Sequence, residues 1–357
     1  MKSSTSDKRD ALCAVAHTLG SSPDVVQGAG GNLSVKLDGQ KMLIKASGCR
    51  FSELREDNGF VTVDWKQIHS RYDQLPADMA VGLSEEAEDV QFVDSCILER
   101  FGEGSRASIE TGFHAFLGRF ALHTHSVYAN LVSCAKDGEA LLKSIFGGSD
   151  IRIVWVPYVN PGLPLALAVR DAVSSYRSET GIVPDVLLLQ NHGVIVNADK
   201  GEKLLELHEA IQSRIQKALK IPGAYPNVEV RQREEGVFES ATPFLANFVK
   251  GHLGILSHVS NYVLFPDQVV FCEQVAVGEN VQKLNGKHAI LVGAQDGRVM
   301  YRATEKQALT IEEVLIAWAF LMDSLERMGK TPSVIKEADQ RYISGMNSEA
   351  HRRKLLK

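Results

Sequence analysis

The chain lacks any arrangement of cysteines that could cross-link it or bind a metal. Its five cysteines are an odd number, are widely spaced and include no C-x-x-C pair. This excludes a disulfide framework and a thiolate zinc site, and it favours a reducing, cytoplasmic environment. The five are Cys13, Cys49, Cys96, Cys134 and Cys272.

Long apolar runs are also missing. No stretch approaches the roughly 20 uninterrupted apolar residues that a helix needs to span a bilayer. The first ten residues are mostly polar or charged and lack the apolar core of a signal peptide. We therefore expect a soluble cytoplasmic protein without a membrane partner.

An excess of positive charge is absent as well. The formal net charge of −5 argues against nucleic acid or an anionic membrane as the main partner, so any anion site must be local. The 357 residues, 44% hydrophobic and 23% charged, are typical of a globular protein. This length allows a main domain and a smaller second region.

Histidines in two short motifs are the most informative feature that is present. His123-Thr124-His125 lies in a stretch typical of a β-strand, where alternate side chains point to the same face. His192, in Gln190-Asn191-His192-Gly193, follows the apolar run 186–189 and can complete a set of three. Three histidines leave a coordination position open, as a catalytic zinc requires. Each histidine alone could equally be a hydrogen-bonded core residue.

The hydrophobic pattern predicts alternating helices and strands up to residue 219. The mixture, with a hairpin at Asp38-Gly39, favours layered α/β packing over a purely parallel sheet. Helices are predicted at 8–20, 89–101, 108–120 (with Ser108 as the N-cap), 165–176 and 201–219. Strands are predicted at 33–37, 42–46, 60–63, 120–128, 151–157, 183–189 and 195–197.

A linker at 221–227 suggests a division into residues 1–224 and a second region at 225–357. Strands are predicted there at 269–271 and 289–292. A helix is predicted with a capping box at Thr310–Glu313 and an end at Gly329. The basic tail 352–357 reads as a solvated helix end.

Glu110 lies at the predicted start of a helix, just upstream of the histidine strand. An isolated glutamate there could simply stabilise the helix dipole. Beside a metal held by three histidines, a carboxylate that is not a ligand could instead move a proton on carbon or on water. His114 shares a helix face with Glu110 by its i+4 spacing, and we expect it behind the ligands.

Two donor-rich turns could bind an anion. Gly28-Ala29-Gly30-Gly31-Asn32 offers flexible backbone N–H groups, although a simple turn is its default interpretation. It is not a dinucleotide fingerprint, because a strand follows it and the final glycine is missing. Ser47-Gly48 forms a second such turn. Lys45 could point into the same cleft or into water.

Together these motifs resemble the class II aldolase/adducin family, over roughly residues 8–220. That resemblance implies a three-layer α/β/α sandwich around a mostly antiparallel sheet, here followed by a smaller α+β region. It also implies a tetramer with sites at subunit contacts. The motifs are Gly28 to Ser34, Lys45 to Gly48, Ser108 to His114, His123 to His125 and Gln190 to Gly193.

The resemblance implies a role for each motif residue. His123, His125 and His192 would hold Zn²⁺ or another divalent ion such as Mn²⁺ or Co²⁺, and Glu110 would be the acid/base. The substrate, a phosphorylated sugar or related hydroxyketone, would be cleaved between C3 and C4, through a metal-stabilised enediolate, to dihydroxyacetone phosphate and an aldehyde. Its phosphate would face Gly31, Asn32, Lys45, Ser47, Gly48 and Ser108.

Departures from the family pattern keep alternatives open. Ile109 stands where related aldolases often carry a second hydroxyl, and Tyr128 and Tyr158 are the nearest candidates for a proton donor. A 4-epimerase tends to carry Asp in place of Glu110, whereas a dehydratase or a decarboxylase keeps the histidines. An adducin-like scaffold without activity is disfavoured because the histidines and Glu110 are intact. The region after 225 is weakly similar to the stretch following the aldolase module in rhamnulose-phosphate aldolase/dehydrogenase fusions.

Overall fold

The protein is described from a computed structural model, over residues 5–102, 104–221, 224–252, 259–272, 275–278, 289–293 and 295–347. An eight-stranded sheet forms its first part. The strands are β1 (Asn32–Lys36), β2 (Lys41–Lys45), β3 (Phe60–Asp64), β4 (Ile97–Phe101), β5 (Phe120–Thr124), β6 (Ile153–Val156), β7 (Val186–Leu189) and β8 (Gly193–Ala198). Their order is β4-β3-β2-β1-β5-β8-β7-β6, and only β6 and β7 pair in parallel.

Helices cover both faces of this sheet, which confirms the predicted three layers. On β2, Leu43 packs with one set of helices, whereas Met42 and Ile44 pack with the other set. The alternation follows from the pleat of the strand. The helices are α1 (Thr5–Gly20), α2 (Trp65–Asp73), α3 (Leu83–Ser95), α4 (Thr111–His114), α5 (Val127–Ser133), α6 (Gly138–Phe146), α7 (Leu163–Thr180) and α8 (Gly201–Leu219).

The C-terminal region has the predicted α+β character. Its sheet has the strand order β11-β12-β13-β10-β9, with one parallel pair, β11 and β12. The strands are β9 (Val230–Glu234), β10 (Val237–Ser240), β11 (Val275–Gly278), β12 (Ile290–Gly293) and β13 (Val299–Arg302). The helices are α9 (Pro243–Gly251), α10 (Pro266–Phe271), α11 (Glu305–Arg327) and α12 (Glu337–Gly345).

The long helix α11 connects the two parts of the molecule. Trp318 and Leu321 of α11 are fully buried in one apolar cluster with Val127 and Leu131 of α5. Helix α5 begins two residues after His125. The C-terminal region therefore packs directly behind the histidine motif. The division at residue 224 stays a prediction.

Three elements of the first part differ from the predictions. The strand predicted at 120–128 ends at Thr124, and residues 127 and 128 begin helix α5. The segment 89–101 is not one helix, because α3 ends at Ser95 and 97–101 pairs with β3 at the sheet edge. The charged residues of this edge strand suit a helix as well as a strand, and tertiary pairing decides between them. The helix expected from Ser108 has only four residues, 111–114. The Ser108 hydroxyl instead accepts from the Glu110 N–H, 3.2 Å away, and from the Asn32 side chain.

Two further predictions in the C-terminal region were wrong. Residues 269–271 belong to helix α10, in which Pro266 supplies a fixed backbone angle at the first helical position. The capping box of α11 is Thr304 with Gln307, one and a half turns before the predicted one. Thr310 and Glu313 lie buried inside the helix and bind other partners. The predicted strand near 290 is confirmed as β12.

The tail 352–357 and residues 222–223 of the predicted linker lie outside the described residues. Within the described ranges, no helix combines the length and apolar character needed to cross a membrane.

Candidate metal centre

The structure brings the three predicted histidines together. His123 lies in β5, His125 follows directly after that strand, and His192 lies in the turn between β7 and β8. Because β5 and β8 are neighbours in the sheet, the two motifs meet at one sheet end. The ring centroids are 5.0, 5.0 and 5.1 Å apart, and all three rings are buried.

Hydrogen bonds fix the orientation of two of these rings. The Nδ1 of His123 lies 3.1 Å from the carbonyl oxygen of Val194, and the Nδ1 of His125 lies 2.8 Å from Oδ2 of Asp267. Both partners only accept, so each Nδ1 carries the proton. The Nε2 atoms of His123 and His125 are buried without a hydrogen-bond partner among the described residues. Such lone pairs are available to a metal.

Glu110 completes the cluster. Its Oε1 lies 3.1 Å from Nε2 of His192 and 3.6 Å from Nε2 of His123. The side-chain amide of Asn32 donates to the other oxygen, Oε2, at 2.7 Å. One possible ligand atom from each of Glu110, His123, His125 and His192 lies within 4.8 Å of the others.

Electrostatics favour the protonation states that a metal site needs. Burial alone would raise the pKa of Glu110, but the neighbouring imidazoles of His123 and His192 hold it well below its usual value. Burial lowers the pKa of His192 to about 4. At neutral pH the site therefore offers a carboxylate and a neutral His192. This donor set fits zinc or a similar divalent ion.

The glycine loop lies against the metal ligands. Gly31 has a φ of +69°, and a Cβ there would come within 2.6 Å of the carbonyl oxygen of His123. A Cβ on Gly30 would lie 2.9 Å from Nδ1 of His125 and 3.0 Å from Oδ2 of Asp267. Only glycine allows this close approach.

A cavity beside the cluster gathers all the residues predicted to bind phosphate. It opens next to Glu110, His125 and His192. Its wall also includes Gly30, Ile109 and two residues of α10. The predicted residues that line it are Gly31, Asn32, Lys45, Ser47, Gly48 and Ser108.

Lys45 is buried rather than extended into water. Its ammonium group donates to the carbonyl oxygens of Ala29 at 3.1 Å and Cys49 at 2.7 Å. Ala29 belongs to the glycine loop, and Cys49 directly follows the Ser47-Gly48 turn. Lys45 therefore joins the turns and brings a positive charge to the wall of the cavity.

His114 lies behind His123, with the ring of Phe113 between them. Its Nδ1 is 2.8 Å from the hydroxyl of Ser34, and its ring stacks on Phe113. The ring of Phe113 in turn meets His123 edge-on. Burial lowers the pKa of His114 to about 3, so this side chain is neutral at physiological pH.

The two tyrosines considered as proton donors lie elsewhere. Tyr128 packs its ring against Phe320 in the C-terminal core, and the Tyr158 hydroxyl donates to Asn160. Neither lines the cavity beside Glu110.

Sequence reasoning missed three residues that support the site. Asp267 accepts from His125, and Glu313 accepts from the backbone N–H of Gly28 at 2.6 Å. Asn191 has a left-handed φ of +54°, and its amide donates to the carbonyls of Leu264 and Ser333, both at 2.8 Å. This turn aims His192. The Pro266-Asp267 pair, typical of a helix start, was the one local signal available.

Comparison with known proteins identifies the family. The model of the class II aldolase and adducin N-terminal domain matches residues 10–219. The "uncharacterized oxidoreductase YuxG" of Bacillus subtilis (strain 168) is 27% identical over 198 residues, which are 52% of this chain and 26% of that protein. The match thus spans about a quarter of the length of that curated relative.

Two solved structures are similar over about three fifths of the chain. The N-terminal class II aldolase domain of a conserved protein from Thermoplasma acidophilum is 22% identical, with a TM-score of 0.49, and covers 61% of this chain and 94% of its own. A sugar-phosphate aldolase from Thermotoga maritima is 16% identical, with a TM-score of 0.43, and covers 60% and 95%. On the match of the family model, the chain belongs to the class II aldolase and adducin N-terminal domain family.

Proposed function

We propose that this protein is a metal-dependent aldolase that cleaves or forms a carbon–carbon bond of a ketose phosphate. One observation carries the proposal. Three buried imidazoles converge beside an ionised carboxylate and a donor-rich cavity, and the Nε2 atoms of two of them have no partner in the described part of the chain.

His123, His125 and His192 would hold the ion, Zn²⁺ or another divalent metal such as Mn²⁺ or Co²⁺. When bound, the ion supplies Lewis-acid polarisation of a hydroxyketone and stabilises the negative charge that develops on its oxygens. The amide of Asn32 holds the Glu110 carboxylate against the imidazoles. Glu110 is therefore positioned to move a proton on the adjacent carbon.

In the cleavage direction, the ionised Glu110 accepts the proton of the C4 hydroxyl of a ketose 1-phosphate, and the C3–C4 bond breaks. The C4 fragment leaves as an aldehyde, and the electron pair stays on the three-carbon fragment as an enediolate. Glu110 then delivers that proton to C3, which yields dihydroxyacetone phosphate and restores the carboxylate. Synthesis runs through the same steps in reverse.

The cavity wall suits the phosphate end of this substrate. The hydroxyls of Ser47 and Ser108 and the backbone at Gly31 and Gly48 offer neutral donors, and the Lys45 ammonium adds a positive charge. Asn32 faces the same space but already binds Glu110. Ile109 makes one part of the wall apolar, which reduces the number of donors available.

We also propose a cytoplasmic tetramer, made of a catalytic module at 1–224 and an appended region at 225–357. All five cysteines are free, which suits a reducing compartment. The tetramer rests on the family resemblance. Sedimentation of the purified protein tests it.

The direct test is metal removal and restoration. The protein is stripped with EDTA, reloaded with Zn²⁺, Mn²⁺ or Co²⁺, and assayed for release of dihydroxyacetone phosphate from a panel of ketose 1-phosphates. We expect activity to disappear and return with the metal. A His123→Ala variant that stays folded is the control and should not recover. Activity that is indifferent to EDTA would contradict the proposal.

A second candidate is another lyase or isomerase on the same scaffold, such as a 4-epimerase, a dehydratase or a decarboxylase. This second candidate is supported by the position of the tyrosines. No tyrosine is among the described residues that line the cavity, so none is placed there to exchange a proton with the aldehyde oxygen. NMR of the products separates the reactions, since epimerisation conserves chain length. A non-catalytic, adducin-like scaffold would purify without stoichiometric metal.

A further inference from the structure

We propose that Asp267, from the C-terminal region, is a positioning residue for the metal ligand His125. Its carboxylate holds the imidazole with Nε2 turned toward the metal site, so metal affinity depends on the C-terminal region. This inference rests on the metal site of the proposed function.

The contact between Asp267 and His125 is short and buried. Oδ2 of Asp267 lies 2.8 Å from Nδ1 of His125, and the two side chains are 1% and 6% exposed. A buried carboxylate is costly unless it is paired and hydrogen-bonded. The pairing fixes both the tautomer and the ring angle of His125, because a carboxylate accepts only from a protonated nitrogen.

The three histidines are held in different ways, and among the described residues only His125 has an acidic side chain at its Nδ1. His123 lies within β5, and its Nδ1 donates to a backbone carbonyl of the neighbouring strand β8. The left-handed turn at Asn191 aims His192. His125 lies just after the end of β5, where the strand geometry no longer sets the ring angle. A partner from outside the sheet takes that role.

The surroundings of Asp267 hold it in place. Pro266, at the first helical position of α10, restricts the backbone just before it. Gln268 follows, and its side chain accepts from the N–H of Leu264 at 2.9 Å. Gly30 packs on the other side, close enough that a Cβ would approach both atoms of the His125–Asp267 contact. The pair is therefore enclosed between the glycine loop and α10.

The first test measures zinc affinity by competition with a chromophoric chelator. We expect Asp267→Ala to bind zinc about 10–100-fold more weakly than the wild type, as is usual when the acceptor behind a histidine ligand is removed. Asp267→Asn should lose less, because an amide oxygen still accepts a hydrogen bond but lacks the charge.

Glu312→Gln is the matched control. Glu312 is another buried carboxylate of the C-terminal region, bonded to the hydroxyls of Tyr301, Ser240 and Thr242 rather than to a histidine. Its loss perturbs the same region without touching the cluster. Zinc affinity should stay within about twofold of the wild type. An equal loss in Glu312→Gln would assign the effect to general destabilisation and overturn the inference.

A second readout does not depend on metal or on the alanine variant folding. Nitrogen-15 NMR of the metal-free wild type should show the His125 proton on Nδ1, and the Asp267→Asn variant should show a mixture of tautomers. A proton on Nε2 in the wild type, or wild-type zinc affinity in Asp267→Ala, would overturn the inference. A wild type that binds no zinc would instead defeat the proposed function, while the tautomer still reports on the contact.

Discussion

The proposed module at 1–224 and the C-terminal region contribute to the candidate site in different ways. The module supplies the whole cluster, Glu110 and the three histidines, from short motifs. The C-terminal region supplies contacts behind the cluster, through Asp267 and through the carbonyls that bind Asn191. The residues proposed to do the chemistry thus lie in short sequence motifs, whereas the residues that position them come from distant parts of the chain.

Two buried glutamates, one in each region, have pKa values that shift in opposite directions. Glu110 of the module faces imidazoles, which lower its pKa well below the usual value despite burial. Glu312 of the C-terminal region faces hydroxyls, and burial outweighs them, so its pKa is raised. Because both glutamates are buried, the difference between their neighbours explains why their two pKa values shift in opposite directions.

The largest effect is expected from Glu110→Gln, which removes the proposed base but keeps a partner for Asn32. Turnover should fall by about 10²–10⁴-fold, the range typical of a lost general base. Zinc binding should persist, because the imidazoles are unchanged. Steady-state kinetics and chelator competition measure the two quantities. Turnover within tenfold of the wild type would remove Glu110 from the mechanism, and Glu312→Gln again controls for the replacement of a buried carboxyl group.

The second prediction concerns pH and His208 of α8, which contacts Thr124 next to the ligands. Burial lowers the pKa of His208 to about 4, below the unfolded value near 6.5. The unfolded chain therefore binds more protons between these values, and the free energy of unfolding should rise from pH 4 to 6.5 and then level off.

His208→Gln should reduce that rise, by about 3 kcal/mol at most for a shift of this size. The buried His114 and His192, whose pKa values are also lowered, should keep the remainder. Urea denaturation of the metal-free protein between pH 4.5 and 7.5 measures it. His69→Gln, at a partly exposed histidine, is the matched control for the substitution itself. An unaltered slope in His208→Gln would show that another group carries the pH dependence.

The third prediction tests the C-terminal support of the glycine loop. Glu313 accepts from the N–H of Gly28 and from the Arg50 guanidinium, 2.9 Å away. Glu313→Gln weakens both contacts and should cost about 1–3 kcal/mol of unfolding free energy. Because the loop lines the proposed phosphate site, KM should rise more than kcat falls. A stability loss with unchanged KM would restrict Glu313 to a structural role.

The smallest effect is expected at the surface of the same interface. Lys306 of α11 and Glu53 of the module form an ion pair at 3.1 Å, with side chains 42% and 40% exposed. Exposed pairs contribute about 0–1 kcal/mol, and salt screens them. Lys306→Ala should therefore change the free energy of unfolding by less than about 1 kcal/mol. A loss as large as that of Glu313→Gln would break the distinction between buried and exposed contacts.

Much of the module could be predicted because its signals are local. Strand alternation and the apolar run before His192 led to the correct strands and to the convergence of the histidines. One exception was the end of the strand predicted at 120–128, where residues 127 and 128 are helical. The other was the edge strand at 97–101, whose Leu-Glu-Arg sequence fits a helix as well as a strand, and which pairs with β3.

The C-terminal region was harder to predict because its important contacts are distant in sequence. His125 and Asp267 are 142 residues apart, and no local pattern joins them. Thr310 and Glu313 have the spacing of a capping box, yet they face Arg50 and Gly28 across the interface. Spacing alone cannot separate a helix start from two polar residues on one helix face.

The most direct test of the three-histidine metal site is anomalous diffraction at the zinc edge from crystals of the zinc-loaded protein. We expect one ion per chain, with the Nε2 atoms of His123, His125 and His192 about 2.0–2.1 Å away. Zinc bound elsewhere, or a cluster that stays empty in zinc-saturated crystals, would contradict this expectation.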